Sequence, residues 1–331
     1  MEYRRLGKSG LRVSELSLGS WLTFGKQIEL NTAKELMKTA YDGGVNFFDN
    51  AEIYARGESE RVMGKILKEM GWSRDSYLVS SKVFFGHQGL QDSKPTQYGL
   101  NRKHVIEACE QALTRLQVDY LDLYFCHRPD KETPIEETVW SMHNLITQGK
   151  VLYWGTSEWS AQEIMEAHMV ARQHNLIGPT MEQPQYNMLH RNKVEVEFAQ
   201  MYRTVGLGTT IWSPLCSGVL TGKYNGGKQP KGTRMEIEGL EWLKERTANE
   251  ENIRVAEGLS EIARSINVSL PVMAIAWCLK NSNVSTVILG ASKVAQLEEN
   301  LTAIEAKEKL TDEVLERIED CLDNKPVHPA F

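Results

Sequence analysis

The sequence predicts an α/β fold, a (β/α)8 TIM barrel, from three features of its pattern. Short apolar runs such as Tyr77 to Val83 alternate with longer amphipathic stretches such as Arg102 to Leu116, and consecutive parallel strands need such crossover helices. The apolar runs are nearly continuous, as expected of strands covered on both faces. The number of units is close to eight. A doubly wound sheet is disfavoured because Leu18-Gly19-Ser20-Trp21 lacks the G-x-G-x-x-G pattern.

The elements follow one another in a regular order after an N-terminal β-hairpin, which is predicted over Tyr3 to Val13 around Lys8-Ser9-Gly10. Short apolar runs predict strands over residues 45–48, 77–83, 121–125, 151–155, 180–183, 208–212 and 284–289. Longer amphipathic stretches predict helices over residues 59–69, 102–116, 135–147, 161–174, 194–202, 255–266, 271–279 and 294–303. Long irregular stretches, Phe84 to Leu100 and Thr221 to Arg234, follow strands three and seven, where a barrel carries its active-face loops.

Length and composition are typical of a soluble globular protein. The 331 residues are 41% apolar and 25% charged. Because α/β barrels reach ~250 residues or more as one unit, and no compositional break marks a linker, residues 1–331 are predicted to form one domain. The net charge of -6 comes from 44 acidic and 38 basic residues interspersed along the chain. Neither a nucleic-acid partner nor a polybasic membrane surface is expected.

Three further features bear on the location and class of the protein. The charged start, Met1-Glu2-Tyr3-Arg4-Arg5, lacks the apolar core of an export signal, which predicts a cytoplasmic protein. The longest uncharged stretch, Thr204 to Gly222, contains Pro214 and four glycines, so it fits a strand and loop better than a membrane span. The five cysteines are scattered without a C-x-x-C pair, so neither a metal site nor a disulfide framework is predicted.

Three apolar strands end in an ionisable residue that a barrel core would not accommodate: Asp49, Lys82 and His127. Because side chains alternate along a strand, all three are predicted to point toward the barrel mouth. Tyr54, five positions beyond Asp49, can fold back over it. Taken singly, such residues are more often helix caps, packed aromatic rings or solvated charges. Their occurrence together at successive strand ends favours a functional site.

This combination of side chains suggests proton donation by tyrosine. A free phenol has a pKa near ~10 and is a weak acid at neutral pH, but a nearby ammonium favours the phenolate. Lys82 is therefore expected to lower the pKa of Tyr54, and Asp49 to keep Lys82 charged. His127 is expected to donate a hydrogen bond to the oxygen of a substrate.

Two segments offer backbone N–H groups to a phosphate. One is Ser213 to Gly218, and the other is the start of the helix that follows Gly290-Ala291-Ser292. Lys223, Arg234 or Lys293 would supply positive charge. The alternative interpretation is a proline-containing turn after strand seven and an ordinary serine N-cap before the last predicted helix.

Three segments resemble the catalytic motifs of the aldo-keto reductase superfamily: Phe48-Asp49-Asn50-Ala51-Glu52-Ile53-Tyr54, Ser80-Ser81-Lys82-Val83 and Leu123-Tyr124-Phe125-Cys126-His127-Arg128-Pro129-Asp130. The similarity extends over essentially the whole chain. It is greatest to the branch that contains the β-subunits of voltage-gated potassium channels, through Gly155-Thr156-Ser157-Glu158-Trp159-Ser160, Trp212-Ser213-Pro214-Leu215 and Ala274-Ile275-Ala276-Trp277-Cys278-Leu279. The resemblance implies a (β/α)8 barrel, NADPH as hydride donor, and a catalytic tetrad of Asp49, Tyr54, Lys82 and His127.

The same resemblance implies which residues contact the cofactor. Ser157 and Gln183 would bind the carboxamide, and Trp212 would lie near the nicotinamide. The pyrophosphate would follow Ser213, Pro214, Leu215, Cys216 and Ser217, with Lys223 and Arg234 closing over it. The adenosine end would be held by Gly290, Ala291, Ser292, Gln296, Glu299 and Asn300. Trp21, Gln27 and Asp49 complete the implied set.

Two positions depart from the pattern of the branch. Channel β-subunits carry Asn where this chain has His127, and His is typical of the superfamily members that reduce carbonyl compounds. Many members carry Arg, a contact of the NADPH 2′-phosphate, where this chain has Gln296. Lys223, Arg234 and Lys293 are the candidates to replace that charge. The first departure favours metabolic reduction, and the second leaves the choice between NADPH and NADH open.

Three functions are compatible with these residues. The first is an NADPH-dependent reductase of aldehydes and ketones, with a small carbonyl compound as substrate. The second is a channel-associated or redox-sensing subunit that binds its nucleotide tightly and turns over slowly. The third is a barrel aldolase with Lys82 as Schiff-base lysine. Relatives of this branch commonly form tetramers, so a homotetramer is expected, and association with a channel is an open possibility.

Overall fold

The structure, a computed structural model, describes residues 1–228, 230 and 247–329. Within these ranges eight parallel strands form a closed barrel, preceded by a two-stranded hairpin. This arrangement confirms the predicted (β/α)8 barrel and its N-terminal hairpin. The strands are β1 (Tyr3–Arg5), β2 (Arg12–Ser14), β3 (Leu16–Gly19), β4 (Phe47–Asp49), β5 (Leu78–Val83), β6 (Leu121–Cys126), β7 (Val151–Thr156), β8 (Met181–Glu182), β9 (Gly208–Ile211) and β10 (Thr286–Leu289).

The barrel strands stand in sequence order around the ring, from β3 to β10. The ring closes because β10 pairs with β9 on one side, through Thr286 opposite Thr210, and with β3 on the other, through Leu289 opposite Leu18. All of these pairs are parallel, so every barrel strand ends at the same face of the molecule. That face therefore collects the residues that follow each strand.

Helices connect the strands and cover the outside of the barrel. They are α1 (Leu30–Asp42), α2 (Glu58–Met70), α3 (Arg102–Leu116), α4 (Ile135–Thr147), α5 (Ala161–Gln173), α6 (Ala199–Thr204), α7 (Glu250–Ser265), α8 (Leu270–Lys280), α9 (Val294–Leu301), α10 (Ala303–Ala306) and α11 (Asp312–Leu322). Each longer helix buries an apolar face, as in α2 with Met63, Ile66 and Leu67. α8 is an exception, since nine of its eleven residues are buried. It therefore lies within the helical layer rather than on its surface.

The interior of the barrel is filled by a small apolar cluster, and the hairpin contributes to it. Side chains two positions apart on a strand, such as Leu123 and Phe125, share this interior face. The cluster consists of Leu6, Val13, Phe47, Leu123, Phe125, Met181 and Ile288. Because Leu6 and Val13 are fully buried in it, the hairpin covers one end of the barrel. The strand ends at the opposite face are left to form a site.

Most predicted elements are confirmed to within a few residues, and the differences have local causes. The barrel strand β3 and the helices α1 and α11 were not among the predicted elements. β3 gives little signal because it is only four residues long and follows the hairpin directly. The predicted helix over residues 194–202 is divided into a π-helical segment, Lys193–Glu197, and α6. The predicted strand over residues 180–183 has only two residues in β8.

Within the described residues, no single helix has both the length and the apolar character needed to cross a membrane. One pair of helices, α7 and α8, satisfies the length and composition test when taken together, and is bent by 89° at the break.

Glu182 is a buried carboxyl group between the barrel wall and the helices. Its neighbour Met181 faces the barrel interior, so the Glu182 side chain points the other way. It accepts a hydrogen bond from Thr156 Oγ1. Its second carboxyl oxygen has no hydrogen-bond partner among the described residues. Burial raises the pKa of Glu182 to about 8, against the opposing charge of Lys193. The protonated form is therefore favoured in the folded protein at neutral pH.

We expect Glu182→Gln to stabilise the protein increasingly as the pH rises. Between pH 4.5 and about 8 the folded state holds a proton on Glu182 that the unfolded state has lost. The free energy of unfolding therefore falls as pH rises, by about 1.4 kcal/mol per unit for this group. Glutamine resembles the neutral acid and removes this dependence. In urea unfolding, the variant's gain in the free energy of unfolding over wild type should be larger at pH 7 than at pH 5 by roughly 2 to 3 kcal/mol. An equal gain at both pH values would contradict the prediction.

Candidate functional site

A cleft of about 890 Å³ opens at the carboxyl ends of the barrel strands, the face on which barrel enzymes carry their sites. Residues that follow every barrel strand contribute to its wall: Gly19, Trp21, Asp49, Tyr54, Phe85, His127, Arg128, Ser157, Gln183, Trp212 and Gly290. The loop after β5 takes part through Phe85, and the loop after β9 through Ser217, Lys223 and Asn225. Both long loops therefore border the cleft, as predicted.

Lys82 lies beneath the floor of this cleft at the end of β5, with no solvent exposure. Its ammonium donates hydrogen bonds to Asp49 Oδ2 at 2.6 Å and to the Asn50 carbonyl oxygen at 2.8 Å. It lies 3.3 Å from the Tyr54 hydroxyl oxygen. The Tyr54 ring also faces the ammonium, with 4.9 Å between Nζ and the ring centroid. The predicted convergence of Asp49, Tyr54 and Lys82 is thus present.

Asp49 uses both carboxylate oxygens. While Oδ2 accepts from Lys82, Oδ1 accepts from Ser80 Oγ at 2.8 Å and from Gln183 Nε2 at 3.1 Å. Such complete pairing is what a carboxylate with 3% exposure requires. Asp49, Ser80 and Gln183 belong to or follow three different strands, so the barrel itself holds this network in place.

A tight reversal of the chain brings Tyr54 back over β4. Ala55 and Arg56 both adopt the left-handed backbone conformation, with φ of 48° and 56°, and Gly57 follows with φ of 83°. Two successive non-glycine residues in this region store backbone strain, which is found most often at functional sites. The reversal places the phenol above Lys82 and lets α2 begin at Glu58.

His127 faces the same space as Tyr54. The centroids of the two rings are 5.8 Å apart at an angle of 75°, and Phe85 packs edge-on against His127 at 5.1 Å. The imidazole is buried, and its Nδ1 atom has no hydrogen-bond partner within the described residues. Burial, reinforced by the charges of Lys82 and Arg128, holds the pKa of His127 well below its usual value. The imidazole is therefore neutral at physiological pH.

The electrostatic balance at Tyr54 differs from the prediction. Burial raises the pKa of the Tyr54 phenol above its ordinary value, and Asp49 acts in the same direction. Lys82 opposes this with its charge and its hydrogen bond, but burial is the larger effect. The expected lowering of the Tyr54 pKa is wrong because burial outweighs the ammonium, and Asp49 adds to the rise. At Lys82, burial lowers the pKa, yet Asp49 and Tyr54 outweigh it and the pKa is raised. The site therefore contains a neutral phenol and a charged ammonium.

Trp212 is anchored by a residue that was not singled out from the sequence. Its indole Nε1 donates to Glu158 Oε1 at 2.9 Å. The same oxygen accepts from the Gln185 backbone N–H at 2.7 Å, and Glu158 Oε2 receives Lys193 Nζ at 3.1 Å. Glu158 lies inside one of the motifs quoted above and adopts a left-handed conformation, with φ of 61°. Only its position in space identifies its contact with Trp212.

Ser213 to Gly218 form a strained turn beside the cleft. Ser213, Cys216, Ser217 and Gly218 have φ of 56°, 45°, 54° and 98°. Three of the N–H groups predicted to face a phosphate bond within the turn instead: Cys216 N to Ser213 O, Ser217 N to Ser213 Oγ, and Gly218 N to Leu215 O. The side chains of Ser217 and Lys223 line this part of the cleft and offer a hydroxyl and an ammonium group to an anion.

The far end of the cleft is formed by the segment between β10 and α9. Gly290, Ser292, Gln296, Glu299 and Asn300 line it. Gln296 turns back toward the start of its helix, where its Oε1 accepts from Ser292 N at 3.1 Å and lies 3.2 Å from Ser292 Oγ. The predicted serine at the helix start is thus tied to Gln296 rather than acting as a simple N-cap.

The structure brings nearly all predicted site residues to one surface. Those that line the cleft are Trp21, Gln27, Asp49, Tyr54, His127, Ser157, Gln183, Trp212, Ser213, Pro214, Leu215, Ser217, Lys223, Gly290, Ser292, Gln296, Glu299 and Asn300. Lys82, Cys216 and Ala291 are buried behind it. Cys216 and Ala291 have their side chains in the outer hydrophobic core, so only their backbone is available to a ligand. Arg234 lies outside the described residues.

Several lining residues were missed by sequence reasoning. Arg128 borders the space around Tyr54 and His127, and Ser260, Arg264 and Leu270 border the opposite part of the cleft. Ser260 and Arg264 belong to α7, which lies outside every quoted motif. No group of His, Cys, Asp or Glu within the described residues is arranged to hold a metal ion.

The residues present fit a dinucleotide. The cleft has a volume typical of cofactor sites. It combines an imidazole and an amide group near Tyr54, an indole, a serine hydroxyl and a lysine in its middle, and polar side chains at its far end. Along the cleft, this order matches the parts of a dinucleotide: a polar ring, an anionic linker and a second ring system.

Comparison with known proteins agrees with this geometry. A model of the Aldo/keto reductase family matches residues 15–323. A protein of Oryza sativa subsp. japonica named "Probable voltage-gated potassium channel subunit beta" is 49% identical over 326 residues, covering 98% of each chain. A protein of Arabidopsis thaliana with the same name is 48% identical over 329 residues, covering 99% of each. The family generally uses NAD(P)H. The chain thus belongs to the aldo/keto reductase family, an oxidoreductase family.

Proposed function

We propose that this protein is an NADPH-dependent reductase that converts aldehydes and ketones to alcohols, with Tyr54 as proton donor. One observation carries the proposal: the Tyr54 hydroxyl lies at the cleft floor, 3.3 Å from an ammonium that is itself paired with a buried carboxylate. A phenol beside a fixed cation is a proton source whose conjugate base is stabilised where it forms.

Each of the four residues has a role that follows from its environment. Tyr54 is protonated at neutral pH because burial raises its pKa, so it is ready to donate a proton to a developing alkoxide. Lys82 stabilises the phenolate that remains, and Asp49 keeps Lys82 charged and in place. His127 is neutral and lines the cleft, so it orients the carbonyl oxygen by donating a hydrogen bond from its imidazole N–H. When bound, the nicotinamide cofactor supplies the hydride.

The cofactor contacts implied by the resemblance are proposed for the residues that line the cleft. Ser157 and Gln183 would hold the carboxamide, and Gln183 is already oriented by its bond to Asp49. Trp212, fixed by Glu158, would cover one face of the nicotinamide. Ser217 and Lys223 would meet the pyrophosphate, together with the backbone of the turn that precedes them. Gly290, Ser292, Gln296, Glu299 and Asn300 would hold the adenosine end.

Multiple turnover with small aldehydes tests the proposal. We expect the purified protein to oxidise many equivalents of NADPH in the presence of excess aldehyde, with a higher kcat/KM than with NADH. Absorbance of the reduced nicotinamide measures NADPH consumption, and gas chromatography measures formation of the alcohol. A single slow turnover, or NADPH loss without alcohol, would contradict the reductase. Protein without aldehyde is the control for background oxidation.

A regulatory channel-associated protein is the second candidate function. The observation that favours it is the identity of 48–49% to plant proteins whose names describe a probable channel β-subunit. Tight nucleotide binding with one slow turnover, and a change in potassium current on co-expression, would support it. The aldolase alternative is disfavoured because Lys82 is a paired ammonium rather than a free amine. We further propose a cytoplasmic homotetramer, which light scattering of the purified protein tests.

A further inference from the structure

Arg128 stands at the mouth of the site beside the proposed reacting groups. It directly follows His127 at the end of β6 and lines the cleft. Its guanidinium carbon lies 5.7 Å from the centroid of the Phe85 ring, which packs against His127. One guanidinium nitrogen donates to the His127 carbonyl oxygen, and the same nitrogen lies 3.5 Å from Ser157 Oγ. These contacts hold the guanidinium on the substrate side of His127.

The charge of Arg128 lacks the compensation that buried arginines in this protein receive. Arg115 pairs with Glu60 at 2.5 Å, and Arg191 pairs with Glu195 and Glu319 at 2.9 and 2.6 Å. Within residues 1–228, 230 and 247–329, Arg128 forms no salt bridge with a carboxylate. Asp49, which lines the same cleft, is already paired with Lys82. The end of the cleft around Tyr54 therefore carries an uncompensated positive charge.

This charge acts on the reacting groups themselves. Arg128 contributes to lowering the pKa of His127, after burial and Lys82, and opposes the rise in the pKa of Tyr54. The guanidinium lines the same cleft as both of these groups, so its charge acts on a substrate bound beside them. Trp21, Ile53 and Phe85 contribute apolar surface to the same cleft. A guanidinium in such surroundings binds a carboxylate or phosphate strongly.

We propose that Arg128 determines substrate specificity by binding an anionic group, a carboxylate or a phosphate, on the carbonyl substrate. This inference rests on the proposed reductase function and names the class of compound that it acts on. The anion would lie a short chain away from the carbonyl carbon, because Arg128 is adjacent in sequence to His127. A neutral aldehyde would leave the guanidinium without a partner in a half-buried wall.

Matched pairs of substrates test the proposal. The first pair is 4-oxobutanoate and its methyl ester, and the second is glycolaldehyde phosphate and glycolaldehyde. In each pair the wild-type kcat/KM should be at least about tenfold higher for the anion, as expected for one charge-assisted contact. Arg128→Met should reduce that ratio at least about tenfold, and Arg128→Lys should restore part of it. The pair with the larger ratio of kcat/KM, anion over neutral compound, shows whether a carboxylate or a phosphate is preferred.

Arg61→Met is the matched control variant. Arg61 lies on α2 with a side chain that is 60% exposed, and it does not line the cleft. It removes the same formal charge from the protein without touching the proposed site. The ratios for both pairs should remain at their wild-type values in this variant. A loss of ratio in Arg61→Met equal to that in Arg128→Met would show a general charge effect and overturn the assignment.

A binding measurement separates this inference from the proposed function. Isothermal titration of the NADP⁺-loaded protein with 4-oxobutanoate and its ester needs no turnover. We expect Arg128→Met to weaken binding of the anion at least about tenfold while binding of the ester is changed far less. Equal affinity of wild type and variant for 4-oxobutanoate would overturn the role of Arg128 whether or not aldehydes are reduced. Normal anion binding without reduction would instead count against the reductase alone.

Discussion

Tyr54→Phe is expected to lower kcat for aldehyde reduction by at least about 10²-fold while leaving NADPH affinity nearly intact, because general acid catalysis is lost and cofactor contacts are kept. Phenylalanine preserves the ring that packs edge-on against His127 and removes only the hydroxyl 3.3 Å from Lys82. Steady-state kinetics and NADPH fluorescence titration measure the two quantities. Turnover within a factor of two of wild type would remove Tyr54 from the proposed role.

The pH dependence of the wild type provides an independent check. The pKa of Tyr54 is raised above its ordinary value near ~10, so the phenol remains protonated throughout the neutral range. The pKa of His127 is lowered well below its usual value, so the imidazole stays neutral there. Reduction should therefore proceed at a constant kcat from pH 6 to 8 and decline only when Tyr54 ionises at higher pH. A steep change near neutrality would indicate that another group donates the proton.

Lys82→Met is expected to destabilise the protein by about 3–5 kcal/mol, because it leaves the buried carboxylate of Asp49 without its counter-ion. Methionine has nearly the same length as lysine and keeps the packing of the side chain. The variant should also lose most of its kcat, since the phenolate of Tyr54 would form without a neighbouring cation. Urea unfolding and steady-state kinetics measure the two effects.

The double variant Asp49→Asn with Lys82→Met distinguishes charge from packing. Asparagine removes the unpaired charge and retains an oxygen that accepts from Ser80 and Gln183, as Asp49 does. The double variant should recover a large part of the lost stability and none of the activity. If the free energy of unfolding of Lys82→Met lies within about 1 kcal/mol of the wild-type value, the ion pair between Asp49 and Lys82 does not stabilise the site as the distances indicate.

Much of the barrel was predictable because its signal is local. Apolar runs of four to seven residues mark strands covered on both faces, and the helices α3 and α4 begin and end at the residues predicted for them. Short elements gave no such signal. β8 has two residues, and the segment after it contains a π-helical turn that tertiary packing imposes on an otherwise helical pattern.

The positions of the site residues were predictable from the sequence, but several of their contacts were not. Because all barrel strands are parallel, a polar residue at the end of each one must reach the same face, so Asp49, Lys82 and His127 could be placed together from the sequence. Glu158 and Arg128 were present in the same motifs, but nothing in their spacing shows that one is bound to Trp212 and the other lacks a carboxylate partner. Those are properties of contacts between distant segments.

The sequence by itself determined which side chains reach the barrel mouth, since alternation along a strand and parallel connection require no long-range information. The tertiary structure alone decided how those side chains interact. Two left-handed residues, Ala55 and Arg56, return Tyr54 to Lys82, and burial makes the pKa of the phenol rise although an ammonium is its neighbour. The direction of that shift depends on a balance between desolvation and charge, which is set by depth and distance and not by the order of residues.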